Sequence, residues 1–389
     1  MKAGWEEVAL GEVALVGAGN PAPKKNELDP KSSVPFVRTS DVGAIKVGTI
    51  TDSRDHIPPH VNNRLKTFPA GTVLFPKSGA STYLNHRVVL GMDSAIASHL
   101  AGIKAYNDRL DDRFLFYALN LVDAREIDQE SKYPSLRLTQ LKALTIPLPP
   151  LEEQKRIVSV LDAAFAKLDR ARANVEANLA DAEELYASCL DGIVDDLCEN
   201  DRVAITEVCA FKGGSQPPKK NFVKTPRKGF VRLLQIRDYE TDEKAVYVDR
   251  NLVTKFCEKD DVMIGRYGAS VGRILTGKEG AYNVALVRTI PDTQKLSKPF
   301  LFYYLQSRYF QSRLLSKSER GAQNGFNKGD LSQISIPLLP SDQQQTVVET
   351  MSAVRKKSNT LSEKCEAQLA DLDTLRQSLL QRAFAGELT

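Results

Sequence analysis

The sequence has few of the residues that cross-link a chain or anchor it in a membrane. Its five cysteines form no C-x-x-C pair and its four histidines form no helical metal pair, which argues against a disulfide framework and a zinc ribbon. No apolar run approaches the ~20 residues that cross a bilayer, and the first residues lack the apolar stretch of a signal peptide. We therefore expect a cytoplasmic protein with no membrane segment and no metal site.

Recognisable catalytic motifs are also missing. The segment from Gly272 to Lys278 imitates a phosphate-binding loop, but Glu279 stands where a Ser or Thr must hold magnesium. No glycine fingerprint opens a Rossmann unit, and no G-x-S-x-G elbow is present. We expect a protein without catalytic residues, and a nuclease or transferase with an unrecognised motif is the rival interpretation.

The sequence is an internal repeat, and its 389 residues allow two or three domains. The most similar blocks are IPLPPLEEQ and IPLLPSDQQ, which lie 190 residues apart. Four blocks recur in the same order in both halves, at 8–26 and 203–221, 73–81 and 262–270, 114–117 and 300–303, and 146–154 and 336–344. Such agreement indicates duplication, although duplication alone does not reveal a function.

Two segments have the apolar spacing of long helices. Residues 151–198 follow two prolines and begin with acidic residues, and residues 341–389 follow Pro340. The apolar stripes, in steps of mostly three and four, are typical of a coiled-coil seam. The predicted seam positions are Ile157, Leu161, Leu168, Val175, Leu185, Val347, Met351, Leu361, Leu369, Leu375 and Leu379. We predict that the two helices pair with each other, the alternative being separate bundles.

The remaining parts, 1–150 and 199–340, have mixed strand and helix character. The predicted strands, each bounded by turn residues, include Val34–Val37, Thr72–Phe75, Val231–Ile236 and Val262–Ile264. Amphipathic helices are predicted at Phe114–Asn120 and Phe300–Ser307, with aromatic residues that favour core packing over a stacking role. The sequence thus predicts an α+β fold with two globular domains, 1–150 and 199–340, and two helical segments, 151–198 and 341–389.

The charge is divided unevenly among these four segments. Their net charges are +2, −7, +10 and −1 in chain order, so the globular parts are basic and the helices acidic. The segment from Lys212 to Arg237 contains eight cations and no acidic residue. This distribution favours contact between a polyanion and the globular parts.

Two kinds of loop recur in the globular parts. The tripeptide KKN follows a turn with glycine and proline at 24–26 and at 219–221, which favours phosphate binding over a merely solvated loop. The second kind of loop reads KSGAS at 77–81 and RYGAS at 266–270. It could read bases, because arginine binds guanine with two hydrogen bonds, or it could be a tight turn with a solvated cation.

The layout resembles the specificity (S) subunit of type I restriction–modification systems. The resemblance rests on the block from Ile146 to Gln154 with its copy from Ile336 to Gln344, and on the ending LQRAFAGEL at 380–388. It covers the whole chain, although Ser341-Asp342-Gln343 departs from the Leu-Glu-Glu of the first copy. It implies two target recognition domains, each reading one half of a bipartite DNA site, and a spacer of two antiparallel helices.

The resemblance also implies partners and cofactors. Two methyltransferase (M) subunits and the restriction (R) subunits would bind this chain, together with double-stranded DNA. S-adenosylmethionine, ATP and magnesium would lie on the partner subunits, and the chain itself would hold no cofactor. A DNA-binding regulator without a methyltransferase, or a coiled-coil adapter that binds only protein, is the alternative.

The residues expected to contact DNA lie in the two kinds of loop and at nearby cations. We assign phosphate contacts to Lys24, Lys25, Lys219, Lys220 and Lys228. We assign base contacts to Lys77, Ser81, Arg266, Tyr267 and Ser270. The further candidates are Asn26, Arg38, Ser78, Asn221, Arg237 and Arg273.

Overall fold

The structure is a computed structural model that describes residues 4–127, 134–197, 201–318 and 325–388. Cys198 and Thr389, the expected ends of the two helical segments, lie outside these residues. The chain divides into two compact units, one of residues 1–174 with 368–389 and the other of residues 175–367. We call them unit 1 and unit 2. Each combines a globular part with parts of both long helices, and the four segment boundaries stay a prediction.

Unit 1 begins with short strands and helices and continues into the first long helix. Its elements are β1 (Glu6–Ala9), α1 (Leu10–Val13), β2 (Ala14–Ala18), β3 (Val34–Val37), α2 (Thr39–Ile45), β4 (Val47–Ile50), β5 (Asp55–Ile57), α3 (Pro59–Asn62), β6 (Thr67–Phe68), β7 (Val73–Pro76), β8 (Arg87–Leu90), β9 (Ser94–Ile96), β10 (Leu100–Ala105), α4 (Asp112–Asn120), α5 (Ala124–Ile127), α6 (Leu138–Lys142), β11 (Thr145–Leu148) and α7 (Leu151–Asp196). Helix α7 is continuous, and its residues up to 174 belong to unit 1.

Unit 2 repeats this order of elements and ends with the second long helix. Its elements are β12 (Arg202–Ala204), α8 (Ile205–Val208), β13 (Cys209–Gly213), β14 (Phe230–Leu234), β15 (Tyr247–Asp249), β16 (Phe256–Cys257), β17 (Met263–Gly265), β18 (Ile274–Leu275), β19 (Gly280–Tyr282), β20 (Leu286–Pro291), α9 (Lys298–Gln306), α10 (Arg308–Ser318), α11 (Lys328–Leu331), β21 (Ser335–Pro337) and α12 (Ser341–Phe384). The residues of α12 from 368 onward belong to unit 1.

The sheets of the two units have matching topologies. Unit 1 contains sheets β2-β10-β7-β8-β4, β5-β3-β9-β6 and β1-β11, and unit 2 contains β13-β20-β17-β18, β15-β14-β19-β16 and β12-β21. In each four-stranded sheet around β3 or β14, the central pair is parallel and the outer pairs are antiparallel. The difference is β4, an additional edge strand of unit 1 that pairs in parallel with β8. The duplication seen in the sequence is therefore a duplication of an α+β fold.

The aromatic residues of the two amphipathic helices pack in the cores, as predicted. Phe114 of α4 is fully buried with Leu161 of α7 and Ala383, close to the end of α12. Phe300 of α9 is buried with Met351 of α12 in unit 2. Each helix begins at a side-chain cap, because Asp111 and Ser297 accept hydrogen bonds from backbone amides of the first turn.

Within each unit, the parts of α7 and α12 run antiparallel to each other. In unit 1, Arg172 forms an ion pair with Asp373, and Asp169 forms one with Arg376. In unit 2, the Ser358 hydroxyl donates a 3.0 Å hydrogen bond to the Ala182 carbonyl oxygen. In unit 1 the earlier residue of α7, Asp169, thus meets the later residue of α12, Arg376, which is the order of an antiparallel pair. The bond in unit 2 shows that the two helices are in contact there as well. Pairing between the two predicted helices is confirmed.

Part of the predicted seam is wrong. Leu185, Leu361 and Leu375 are 61%, 42% and 47% exposed, whereas Ala182 and Cys365 are buried. One row of the repeat stays on the packed face, because Leu161, Leu168, Val175 and Ala182, at seven-residue steps, are all buried or half-buried. The three exposed leucines belong to the second row of the repeat, which leaves the packed face along each helix. Ile157, Leu161 and Met351 are buried as expected, and Leu168, Val175, Val347, Leu369 and Leu379 are half-buried.

Candidate nucleic-acid interface

In unit 1, the two recurrent loops begin at the same edge of one sheet. Strand β2 ends at Ala18, opposite Ala101, and β7 ends at Pro76, opposite Leu100. Strand β10 lies between β2 and β7 and is antiparallel to both. Because neighbouring strands are about 4.8 Å apart, the two loops leave the edge roughly 10 Å from each other.

Unit 2 has the same arrangement. Strand β13 ends at Gly213, opposite Val287, and β17 ends at Gly265, opposite Leu286. Strand β20 lies between them and is antiparallel to both. In each unit, two loops that are about 50 to 60 residues apart in sequence are thus neighbours, because the strands that carry them pair with the two sides of one later strand.

A glycine in each unit makes the first of these loops possible. A Cβ atom on Gly19 would lie 2.2 Å from the Ala97 carbonyl oxygen, and one on Gly214 would lie 2.1 Å from that of Asn283. No side chain fits at such distances. The glycines therefore allow the loop to pass closely over the turn before β10 or β20.

The lysines of the first loop are exposed in both units. Lys24 and Lys25 lie at a short 3₁₀ turn whose Glu27 accepts a 2.8 Å hydrogen bond from the Lys24 amide. A hydrogen bond from Arg64 lowers the pKa of Glu27, so this one acid of the turn stays ionised. The matching turn of unit 2, Lys219–Asn221, contains no acid. The exposed residues of this group are Lys24, Lys25, Asn26, Lys219, Lys220 and Lys228, whereas Asn221 is half-buried.

The second loop presents one cation in each unit. The amides of Lys77 and Arg266 donate 2.9 Å hydrogen bonds to the carbonyl oxygens of His99 and Ala285. The Arg266 guanidinium lies 5.0 Å from the centre of the Tyr267 ring and donates through Nε to the Phe326 carbonyl oxygen. These contacts hold Arg266 in one orientation. Its terminal amino groups are the atoms that can bind a base or a phosphate.

Other predicted DNA-contacting residues have partners inside the protein. Arg38 forms an ion pair with Asp55, and Arg273 forms one with Glu240 at 2.9 Å. Arg237 donates a 3.4 Å hydrogen bond to the Lys244 carbonyl oxygen and stays exposed. Ser81 and Ser270 are half-buried in their turns. The structure thus gives Arg38 and Arg273 a structural partner, and their contact with DNA stays a prediction.

Sequence reasoning missed His99. This exposed histidine lies in the turn before β10, between the two loops of unit 1. Its Nδ1 atom is hydrogen-bonded to the Ser78 hydroxyl at 2.7 Å, which fixes the ring. The equivalent position of unit 2 is Ala285, at the offset of 186 shared by the neighbouring leucines. A lone histidine gives no sequence signal, since only the pairing of β10 with β2 and β7 brings it to this edge.

Two kinds of feature are absent from the described residues: a membrane-spanning helix and a metal-binding cluster. Across the described ranges, no helix combines the length and the apolar character that crossing a membrane demands. In the same part of the chain, no three His, Cys, Asp or Glu side chains are grouped so that they could hold a metal ion.

Comparison with known proteins gives matches to one kind of protein, over 63% or more of this chain. The family model described as type I restriction modification DNA specificity domain matches residues 2–177 and again residues 199–370. The EcoBI specificity subunit of Escherichia coli is 24% identical over an alignment that covers 99% of this chain and 86% of that protein. The StySPI specificity subunit of Salmonella potsdam is 24% identical over 63% of this chain and 58% of that protein.

Solved structures share the fold. A chain from a structure of the type I R-M system, solved to explain its complex assembly and conformational transition, superposes with a TM-score of 0.79 at 23% identity. The superposition covers 100% of this chain and 99% of that chain. The HsdS subunit from Thermoanaerobacter tengcongensis has a TM-score of 0.55 at 23% identity and covers 100% and 98% of the two chains.

Proposed function

The chain belongs to the type I restriction–modification DNA specificity family and is a DNA-recognition subunit, and on this premise we propose that each unit reads one half of an asymmetric bipartite site in double-stranded DNA. The observation that supports this proposal is the sheet edge that carries both recurrent loops in each unit. The frames of the two units match but their loop residues differ. Two unlike half-sites follow from unlike side chains on a shared frame.

The two loops at each edge have different roles in this proposal. The exposed lysines of the first loop neutralise phosphates, which positions the domain without reading sequence. The second loop and its neighbours, Lys77 with His99 in unit 1 and Arg266 with Tyr267 in unit 2, face base edges. An arginine held by the Phe326 carbonyl oxygen is suited to this task, because little side-chain freedom is lost on binding.

Methylome sequencing tests the proposal directly. A host that expresses this chain with its M subunit should carry methylated adenines or cytosines in one bipartite motif with unlike halves. A chimaera in which residues 19–26 and 77–81 are replaced by those of a relative should change one half only. A methylome with a continuous motif, or with no motif, would contradict the proposal.

We expect two methyltransferase subunits and restriction subunits as partners. The exposed leucines Leu185 and Leu375 lie at equivalent positions of the repeat, 190 residues apart. Two equivalent apolar points on the two long helices suit two copies of one partner. Leu185→Glu and Leu375→Glu should each remove one M subunit from the complex, measured by mass photometry. Leu361→Glu is the matched control. Leu361 is also exposed, but the equivalent residue of α7 is Ala171, so this leucine does not occur on both helices.

We assign the chemistry of the complex to its partners. On this proposal the chain holds no cofactor, while S-adenosylmethionine, ATP and magnesium bind the M and R subunits in the cytoplasm. The purified chain should then transfer no methyl group to cognate DNA until the M subunit is added. Methyl transfer or magnesium-dependent cleavage by the chain alone would assign an active site to this chain.

A further inference from the structure

Unit 1 contains a cavity that plays no part in the DNA interface described above. It has a volume of 520 Å³, which is in the range of sites for small organic molecules. Its walls come from α4, from α7, from the last turns of α12 and from the start of β4. Phe116, Tyr117 and Phe165 form its aromatic wall, and Leu380 extends the apolar surface.

The equivalent position of unit 2 holds a smaller cavity of 350 Å³, lined by Tyr186, Leu190 and Gln306, the equivalents of Arg376, Leu380 and Asn120. Phe165 corresponds to Arg355 at the repeat offset of 190. Arg355 donates hydrogen bonds to Gln306 and to the Tyr186 hydroxyl, at 2.9 and 3.3 Å, and lies 5.5 Å from the centre of the Phe302 ring. A cation bound to these groups thus replaces the aromatic ring of Phe165. The two cavities therefore differ in size and in chemistry.

The backbone next to the cavity is strained. Among the described residues, Lys46 and Asn85 are the two non-glycine residues with positive φ, at 66° and 54°. Lys46 adopts the rare γ-turn conformation and leads into Val47 and Gly48, which line the cavity, and Asn85 lines it directly. Strained residues persist where the surroundings hold them and are concentrated at ligand sites. Lys46 is held by backbone hydrogen bonds to Val42 and Arg87.

The polar groups of the cavity indicate the chemistry of its ligand. The guanidinium of Arg113 is paired with Asp162 at 3.0 Å, and that of Arg376 is paired with Asp169. Since Asp373 also lines the cavity, the lining holds three carboxylates and two guanidiniums. Asp169 and Asp373 are 64% and 68% exposed and retain free acceptor positions. An anionic ligand is therefore disfavoured, and a donor of N–H groups is favoured.

We infer that this cavity binds an uncharged heteroaromatic molecule of nucleoside size that carries an exocyclic amine. Its ring packs against Leu380 and against the guanidinium planes of Arg113 and Arg376, each of which is paired with an aspartate. Its amine donates to the carboxylates of Asp169 and Asp373. Because β4 is the edge strand of the sheet that also carries the DNA-facing loops, an occupied cavity stabilises that sheet in unit 1.

Saturation-transfer NMR on the full chain tests this inference with three probes. Adenosine should show transfer to its ring protons, uridine should show less because it lacks the amine, and AMP should bind about ten-fold more weakly or worse because of its phosphate charge. Ala166→Phe fills the cavity and should abolish the adenosine signal. Ala163→Phe is the control, because Ala163 is exposed on the same helix and does not line the cavity.

The outcomes that overturn the inference are distinct from failure of the DNA assignment. No transfer to adenosine in the wild-type chain, or an equal signal in Ala166→Phe with an unchanged melting curve, removes the site. Equal binding of uridine or AMP contradicts the assigned ligand class. The methylome is measured independently of all these results.

Discussion

The Gln154 side chain accepts a 2.9 Å hydrogen bond from the backbone amide of Asp111. It also donates to the carbonyl oxygens of Arg109 and Pro149, and it is fully buried. Gln154 therefore joins the start of α7 to the cap of α4. Its equivalent Gln344 makes the same three bonds in unit 2, which explains why a glutamine ends both copies of the repeated block.

Gln154→Ala should lower the free energy of unfolding of unit 1 by ~2–4 kcal/mol, because it leaves three backbone groups without their partner. The single tryptophan, Trp5, is buried in the core of unit 1, so its fluorescence during urea unfolding reports on that unit. Gln344→Ala serves as the matched variant, since it acts in unit 2 and should leave the Trp5 transition in place. A Trp5 transition that is unchanged in Gln154→Ala would contradict this role.

Asp261→Asn should destabilise unit 2 by about 2 kcal/mol, because it leaves two cations without their shared carboxylate. Asp261 is buried and lies 2.7 Å from Arg288 Nε and from Lys298 Nζ. Hydrogen-exchange protection of β17 and β20 provides the measurement. Asp260→Asn is the control, since Asp260 is exposed and forms an ion pair with Lys298 at 3.0 Å.

The same carboxylate should make unit 2 sensitive to acid. Burial alone would raise the pKa of Asp261, but hydrogen bonds from Lys298 and the Glu258 amide, together with Arg288, lower it below the usual value. The unfolded chain therefore binds the proton more readily. The stabilisation is complete above the ordinary carboxyl pKa of about 4 and is lost as the pH falls below it. Protection in Asp261→Asn should depend less on pH over this range.

His99→Ala should relax one position of the half-site that unit 1 reads and leave the other half-site unchanged. The ring is fixed by Ser78 at the sheet edge, and unit 2 has alanine at the equivalent position. Loss of one base contact is worth ~1–3 kcal/mol of discrimination. The methylome of the complex measures it, with His60→Ala as the control because His60 is exposed on α3. An unchanged motif would remove His99 from the interface.

Arg266→Ala and Lys219→Ala should have different effects on DNA binding. Loss of Arg266 should cost ~1–3 kcal/mol and relax one position of the second half-site, because its guanidinium reads a base. Loss of Lys219 should weaken all sequences alike and reduce the salt dependence, because its amine binds phosphate. Binding to cognate and altered sites at several salt concentrations distinguishes them. Equal loss on both sites for Arg266→Ala would make it a phosphate contact.

Much of the fold could be predicted because its signals are local. The repeated blocks gave the duplication, and the apolar spacing with flanking prolines gave the two long helices within a few residues of their observed bounds. Of the predicted seam positions, only those near each helix start are fully buried. Leu185 and Leu375 lie on the row of the repeat that leaves the packed face, because the partner surface and not the sequence selects that face.

The sequence by itself determined which residue types each half carries, since composition, repeats and turn glycines are properties of the chain. Only the tertiary structure decided which of them meet. The loops at 19–26 and 77–81 and the lone His99 become neighbours because β10 pairs with both β2 and β7. Arg38 and Arg273, which look like free cations in the sequence, find acidic partners far along the chain. Strand pairing and ion pairing join distant residues, and no local pattern encodes them.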